Sequence, residues 1–388
     1  MTSTFLNSQE LNSDDPVRMC YNTRNLTRDI RAPMLVTATV ESTHATAGRL
    51  RPLDPAQDLG QVAELIADAF RDEMDQQGRA AIRELRWMAR MSPLVWWWAQ
   101  ADPSFRETYN GFVWEEPVAQ RRNQRVLVGN ANLNRAPGNR NRWVICNVVV
   151  ERRYRRRGIA RRLVTATISE ARRQGADGVV LQVFQDNRPA LHLYTDLGFE
   201  RVAGETELRA DTVRLVAMKD APGYHLRLWR PADGRAAFEL AQRAIPAPQQ
   251  WLRPVRPAEY QPDWLSRVSR AVNDALAGRR TYRLLASPEA GGELAALLTL
   301  EVAFGRGEHR LSLLVDPSHR GRVEAALLGR ALHLVAAGSP RPVRAQVNAD
   351  HDAALQVLGE TGFRERRTLL TLSHVVKQER EMTYGRLV

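Results

Sequence analysis

The chain has 388 residues, 44% of them hydrophobic and 26% charged, with a formal net charge of +12. That length allows about two to three domains. It excludes a disulfide scaffold, since Cys20 and Cys146 are the only cysteines, and a membrane-spanning chain, since no uninterrupted apolar run nears the ~20 residues such a helix needs. The N-terminus lacks the basic start and apolar core of a secretory signal, so a reducing cytoplasm is expected.

Residues 1 to about 45 are polar and without sustained periodicity. They read as a disordered tail or, given the internal Met34, as a start codon assigned too early. Leu50, Arg51 and Pro52 then make a short strand. Asp58 is expected to precede a helix whose inner face carries Val62, Leu65, Ile66 and Phe70, and a second helix follows with Ile82, Leu85, Trp87 and Met88. The acidic connection Asp72–Asp75 reads as a solvated helix end or as an attractor for a cationic amine. Trp96, Trp97, Trp98, Phe105, Tyr109, Phe112 and Trp114 read as core or as the wall of an acceptor pocket. Gly111 to Trp114 and Val126 to Ala131 are expected to pair as antiparallel strands. Asn132 to Asn141, rich in Asn, Arg, Pro and Gly, reads as a turn into the strand Trp143 to Val150.

That strand feeds Arg155-Arg156-Arg157-Gly158-Ile159-Ala160, after which Ala160, Leu163, Val164, Thr167, Ile168 and Ala171 recur at helical spacing until Gly175. A strand, a tight basic turn and a helix start suit a pyrophosphate. Backbone N–H groups converge there, the helix dipole favours negative charge, Gly158 permits close approach and the arginines add cationic donors. Val179 to Phe184 reads as a second buried strand. Asn187, Pro189 and Ala190 then open a short helix carrying Tyr194, closed by Gly198-Phe199.

The pattern R-x-x-G-x-A followed by N-x-x-A-x-x-x-Y-x-x-x-G-F resembles the GNAT superfamily of N-acetyltransferases, and within it the branch that acetylates protein N-termini. The close match covers Asn147 to Phe199. What the resemblance implies is acetyl-CoA held at Val148, Val149, Val150, Arg155, Arg156, Arg157, Gly158, Ile159, Ala160, Arg161 and Asn187. Tyr194 would protonate the CoA thiolate, and an amine would accept the acetyl group with no metal involved. Asn187 also reads as a helix cap. Glu115, Glu116 and Glu151 are the nearest candidates for a base, but each reads first as a solvated side chain, and an amine arriving neutral needs none. Two other readings stay open: a catalytically silent acyl-CoA-binding module, and a nucleic-acid-binding protein drawn by the cluster Arg152, Arg153, Arg155, Arg156, Arg157, Arg161 and Arg162. No recognised nucleic-acid motif or interleaved aromatic platform accompanies that cluster.

Beyond Lys219-Asp220-Ala221-Pro222-Gly223 the chain repeats itself. Leu228-Trp229-Arg230-Pro231 echoes Leu50-Arg51-Pro52, and Leu313 to Arg322 echoes the strand and basic turn at a shift of 165 residues. The shift sets Arg320 on Arg155, Val323 on Gly158 and Ala325 on Ala160, and the second block sets Leu358 on Tyr194. A branched Val323, an acidic Glu324 and a proton-free Leu358 all oppose catalysis. The expected architecture is therefore a mixed α/β fold of two tandem acetyltransferase-like domains: 46–215 catalytic, 216–223 a linker, and 224–388 degenerate.

Overall fold

A computed structural model of the protein describes residues 48–70, 76–91, 110–118, 124–215, 217, 219–304, 307–338 and 340–376. The N-terminal tail, Asp72–Asp75, Trp96, Trp97, Trp98, Phe105 and Tyr109 lie outside the described residues. The described chain forms two compact units, one of residues 48–136, 140–179 and 376, the other of 137–139 and 180–375. No helix among the described residues is long and apolar enough to cross a membrane.

In the first unit, strand β1 (Arg49–Pro52) leads to helices α1 (Pro55–Ala69) and α2 (Gln76–Arg90). Strands β2 (Gly111–Pro117), β3 (Arg125–Ala136) and β4 (Asn139–Val150) follow, then α3 (Ile159–Arg173). The sheet runs β1-β2-β3-β4. Helix α1 starts earlier than expected, because Asp54 accepts the Ala56 N–H at 3.0 Å and Pro55 suits a first helical position. Asp58 therefore lies inside α1 and is buried, where Arg51 donates to both of its carboxylate oxygens at 2.6 and 2.7 Å. Helix α2 buries Ile82, Leu85 and Met88 but leaves Trp87 58% exposed, so Trp87 is not on the inner face. The expected turn over Asn132–Asn141 shrinks to Pro137-Gly138, since the β3 and β4 ladders continue almost to their ends.

Burial on the two faces of this sheet divides the apolar residues. Val113, Leu127 and Val149 pack with Leu59, Val62 and Ile66 of α1 and with α2. Trp114, Ala131 and Val150 pack with Ile159 and Leu163 of α3. Helix α3 ends where periodicity said it should, with Gly175 at φ +75° and the Ala176 N–H returned to the Ala171 carbonyl. Leu163 is fully buried, and its truncation to alanine should cost about 2–5 kcal/mol.

The second unit contains β5 (Gly178–Phe184, entering it at Val180), α4 (Arg188–Asp196), β6 (Glu200–Ala210) and β7 (Tyr224–Leu228). After these come α5 (Gly234–Ala244), α6 (Ala247–Leu252), α7 (Pro257–Tyr260) and α8 (Trp264–Leu276). Strands β8 (Arg279–Pro288), β9 (Ala296–Ala303) and β10 (His309–Val315) lead into α9 (Glu324–Ala336), β11 (Val343–Asn348), α10 (Asp352–Glu360) and β12 (Arg364–Val375). The internal repeat is thus carried by order of elements. It extends to a local device, for Arg227 grips Asp233 with both guanidinium nitrogens at 2.7 and 2.6 Å, as Arg51 grips Asp58.

Strand order in this unit is β5-β12-β6-β11-β10-β9-β8-β7. β10 and β11 are parallel, while β6 is antiparallel to both β11 and β12. The last strand of each repeat therefore lies between the last two strands of the other. The division of the chain into the two compact units falls within β5, and the expected linker at 216–223 lies inside the second of them.

Candidate active site

Strand β4 is kinked at Asn147, whose φ of +51° is left-handed within an otherwise extended run. Beyond it Val148 is half-buried against the α3 side, Val149 packs against α1 and α2, and Val150 returns to α3. A left-handed residue inside a strand turns the peptide planes on either side of it out of the ladder. The stretch expected to meet a thioester carbonyl therefore follows directly on a fixed kink.

From Val150 the chain enters a short 3-10 turn, Arg152–Tyr154, and then the loop. Arg155 folds back, its Nε donating to the Val150 carbonyl at 3.0 Å, so this guanidinium fixes the strand end. Arg156 and Gly158 are both left-handed, at φ +66° and +76°. Gly158 is the N-cap of α3, and a Cβ placed on it would meet nothing within 4 Å. Alternating backbone hands of this kind turn successive N–H groups to one side and make a concavity for an anion at a helix start. Arg157 lies over the Tyr154 ring at 5.0 Å, Ile159 is buried and anchors the helix, Ala160 is half-buried, and Arg161 is exposed. The open cradle and its arginines fit a pyrophosphate.

Asn187 and Tyr194 belong to the second unit. Asn187 caps α4, its side chain accepting the Ala190 N–H at 3.2 Å. Tyr194 is 6% exposed and meets Phe199 edge-on at 5.8 Å between ring centroids. Burial pushes its phenol well above the ordinary tyrosine value, so the group keeps its proton at any ordinary pH.

The carboxylates of β2 are not solvated, contrary to expectation. Glu115, 7% exposed, faces Arg51, Arg49 and Arg125. Glu116, 8% exposed, accepts the Trp114 indole N–H at 2.9 Å. Glu151 stays half-buried in the turn.

The corresponding loop of the second repeat keeps one left-handed residue, Gly321 at φ +83°, matching Arg156. Val323 does not stand in that loop as expected: its φ is −117° and its side chain is fully buried in the core. What fills the loop is Glu324, whose carboxylate accepts from the N–H groups of Gly321 at 2.9 Å and Val323 at 3.1 Å. His351 Nε2 lies 2.8 Å from the same carboxylate. The donors that an anion would need are already taken by a side chain, so this loop does not fit a pyrophosphate.

Sequence reasoning passed over three buried or half-buried asparagines beside the β4 kink. Their signal was visible in β3, where Asn130, Asn132 and Asn134 alternate with apolar Ala131 and Leu133.

Residues 67–199 match the model of the acetyltransferase (GNAT) family, so this part of the chain resembles a GNAT acetyltransferase domain. Transfer of an acetyl group from acetyl-CoA is the chemistry that family implies. A GCN5-related N-acetyltransferase from Sphaerobacter thermophilus shares the fold at 19% identity and a TM-score of 0.51, over 86% of this chain and 98% of that one. A tandem GNAT protein from the clavulanic acid biosynthesis pathway matches at 20% identity and a TM-score of 0.46, over 85% and 99% of the two chains. No curated protein matches the chain at a significant level.

Proposed function

We propose that the protein is an acetyl-CoA-dependent N-acetyltransferase that passes the acetyl group directly, within a ternary complex, to a primary amine of a small molecule, peptide or protein. The observation that carries this reading is the open cradle formed by left-handed Arg156 and Gly158 at the start of α3, inside the segment that matches the family.

Bound acetyl-CoA would supply the activated acyl group. The Arg156–Arg161 loop and the N-terminus of α3 bind its phosphates, the backbone after Asn147 polarises its carbonyl, Asn187 orients the pantetheine arm, and Tyr194 delivers the proton to the departing sulfur. Residues 224–388 act as a degenerate partner domain, since Glu324 already fills their loop.

No dedicated base is assigned, because Glu115 is held by arginines and Glu116 by an indole. The rate should therefore rise with pH along the ionisation of the acceptor amine alone. A second inflection in the carboxylate range would show that a protein base takes part.

Calorimetric titration with acetyl-CoA tests the reading. The wild type should bind one equivalent per chain, and Gly158→Val should bind none, because a branched side chain enters the cradle and resists the left-handed backbone. Tyr194→Phe should retain acetyl-CoA affinity and lose turnover by about 10²-fold. Absence of acetyl-CoA binding by the wild type would refute the proposal.

A further inference from the structure

Within β4 the left-handed Asn147 is held by a closed set of amides. Asn130 Nδ2 donates at 2.9 Å to the Asn147 carbonyl and at 2.9 Å to Asn132 Oδ1. Asn147 Nδ2 donates at 3.2 Å to that same Asn132 Oδ1, and Asn132 Nδ2 reaches the Asn110 carbonyl at 3.3 Å. Asn130 is fully buried and Asn132 nearly so. The side chains come from adjacent strands, β3 and β4, and two of the four hydrogen bonds fasten Asn147, one at its carbonyl and one at its side-chain amide.

A straight β3–β4 ladder would be more stable with valines at these places, because buried amides must find partners and one atom here does not. Among the described residues, Asn130 Oδ1 is buried without a hydrogen-bond partner. The orientation of that amide follows from its neighbours, since both of its N–H groups face acceptors. The fold thus carries a left-handed residue inside a strand and an unsatisfied oxygen at one spot. Departures from local rules of this kind gather where the backbone is held for a task.

We propose that Asn130, Asn132 and Asn147 are positioning residues that keep β4 kinked at Asn147 and so aim the N–H groups after it at the thioester carbonyl. The proposal rests on the acetyltransferase reading. Asn130 acts through the carbonyl of Asn147, Asn132 acts as the shared acceptor, and Asn147 itself is the side chain that best tolerates the left-handed backbone apart from glycine. None of the three belongs to the Arg156–Arg161 loop or to α3.

The test is isotope-edited infrared spectroscopy of acetyl-CoA labelled with carbon-13 at the carbonyl, alongside calorimetry with CoA lacking the acetyl group. In the wild type the bound carbonyl band should lie below that of free acetyl-CoA. Asn130→Leu and Asn147→Val should hold CoA within about twofold of the wild type, because the helix start is untouched. In both variants the carbonyl band should move back towards its free position. Asn147→Gly should keep the lowered band, since glycine accepts the same backbone conformation.

A lowered band that persists in Asn130→Leu and Asn147→Val would overturn the positioning role while leaving the acetyltransferase reading intact. Failure of the wild type to bind CoA would overturn both. Should Asn130→Leu not fold, the contrast between Asn147→Gly and Asn147→Val decides: equal bands in those two variants also overturn the role.

Discussion

Glu324 separates the two loops of this chain. In the first, left-handed Arg156 and Gly158 leave an open concavity; in the second, the Glu324 carboxylate lies across the N–H groups of Gly321 and Val323 with His351 behind it. A side chain thus does inside the second repeat what a phosphate is proposed to do in the first. Burial alone would raise the pKa of this carboxyl, but the His351 hydrogen bond and the backbone donors outweigh it and hold the group below the usual carboxylate range. Glu324→Ala strands the buried Val323 N–H and buried His351 and frees the Gly321 N–H, so it should cost about 2–4 kcal/mol, seen as a lower melting temperature. Asp316 sits at the same turn. Burial again opposes, but hydrogen bonds from Ser318 and Arg243 prevail and bring its pKa to about 2. A depressed folded value means stability that is complete above the unfolded value of 3.8 and lost as pH falls towards about 2. Asp316→Asn should therefore flatten the fall in melting temperature across that window, and an unchanged slope would show that the carboxylate is not so held.

At the scale of elements, β6 is the strand on which the second unit turns. Its Glu207, 6% exposed, accepts from Arg366 at 3.0 Å and Arg367 at 3.1 Å on β12, with Arg344 of β11 at 3.8 Å. One carboxylate ties three strands that are far apart in sequence. Glu207→Ala should cost about 2 kcal/mol, less than a fully buried pair, because the arginines can turn to water. A melting temperature equal to wild type would remove Glu207 from the joint. Hydrophobic periodicity and caps made α3, α4 and β5 legible, since each signal is local: Gly175 and Asn187 lie within a few residues of what they fix, and the repeat showed as a recurring order of such signals. The pairing of β6 with β11 and β12 was not legible, because both faces of an exchanged strand read alike wherever its partners come from. For the same reason the tight turn at Gly158 was legible in sequence, but the asparagines around Asn147 were not. Their meaning lies in hydrogen bonds across strands.

For the whole molecule, the exchange changes what a domain boundary means. Residues 216–223 separate two sequence repeats, and cutting there leaves β6 without either neighbour, as β12 and β11 both come from the other side. Eleven residues of β6 would then present two unpaired edges, including the buried apolar residues Ala203, Leu208 and Ala210. Such a strand templates association with other chains. A fragment ending at residue 215 is therefore expected to aggregate, and so is the complementary fragment, whose β11 and β12 lose the strand between them. Coexpressed, the two fragments should form a soluble one-to-one complex on size exclusion, because the ladders on both sides of β6 can reform. A monomeric 46–215 fragment with a cooperative melt close to that of the full chain would show that β6 needs neither neighbour, and the repeats would then be independent domains.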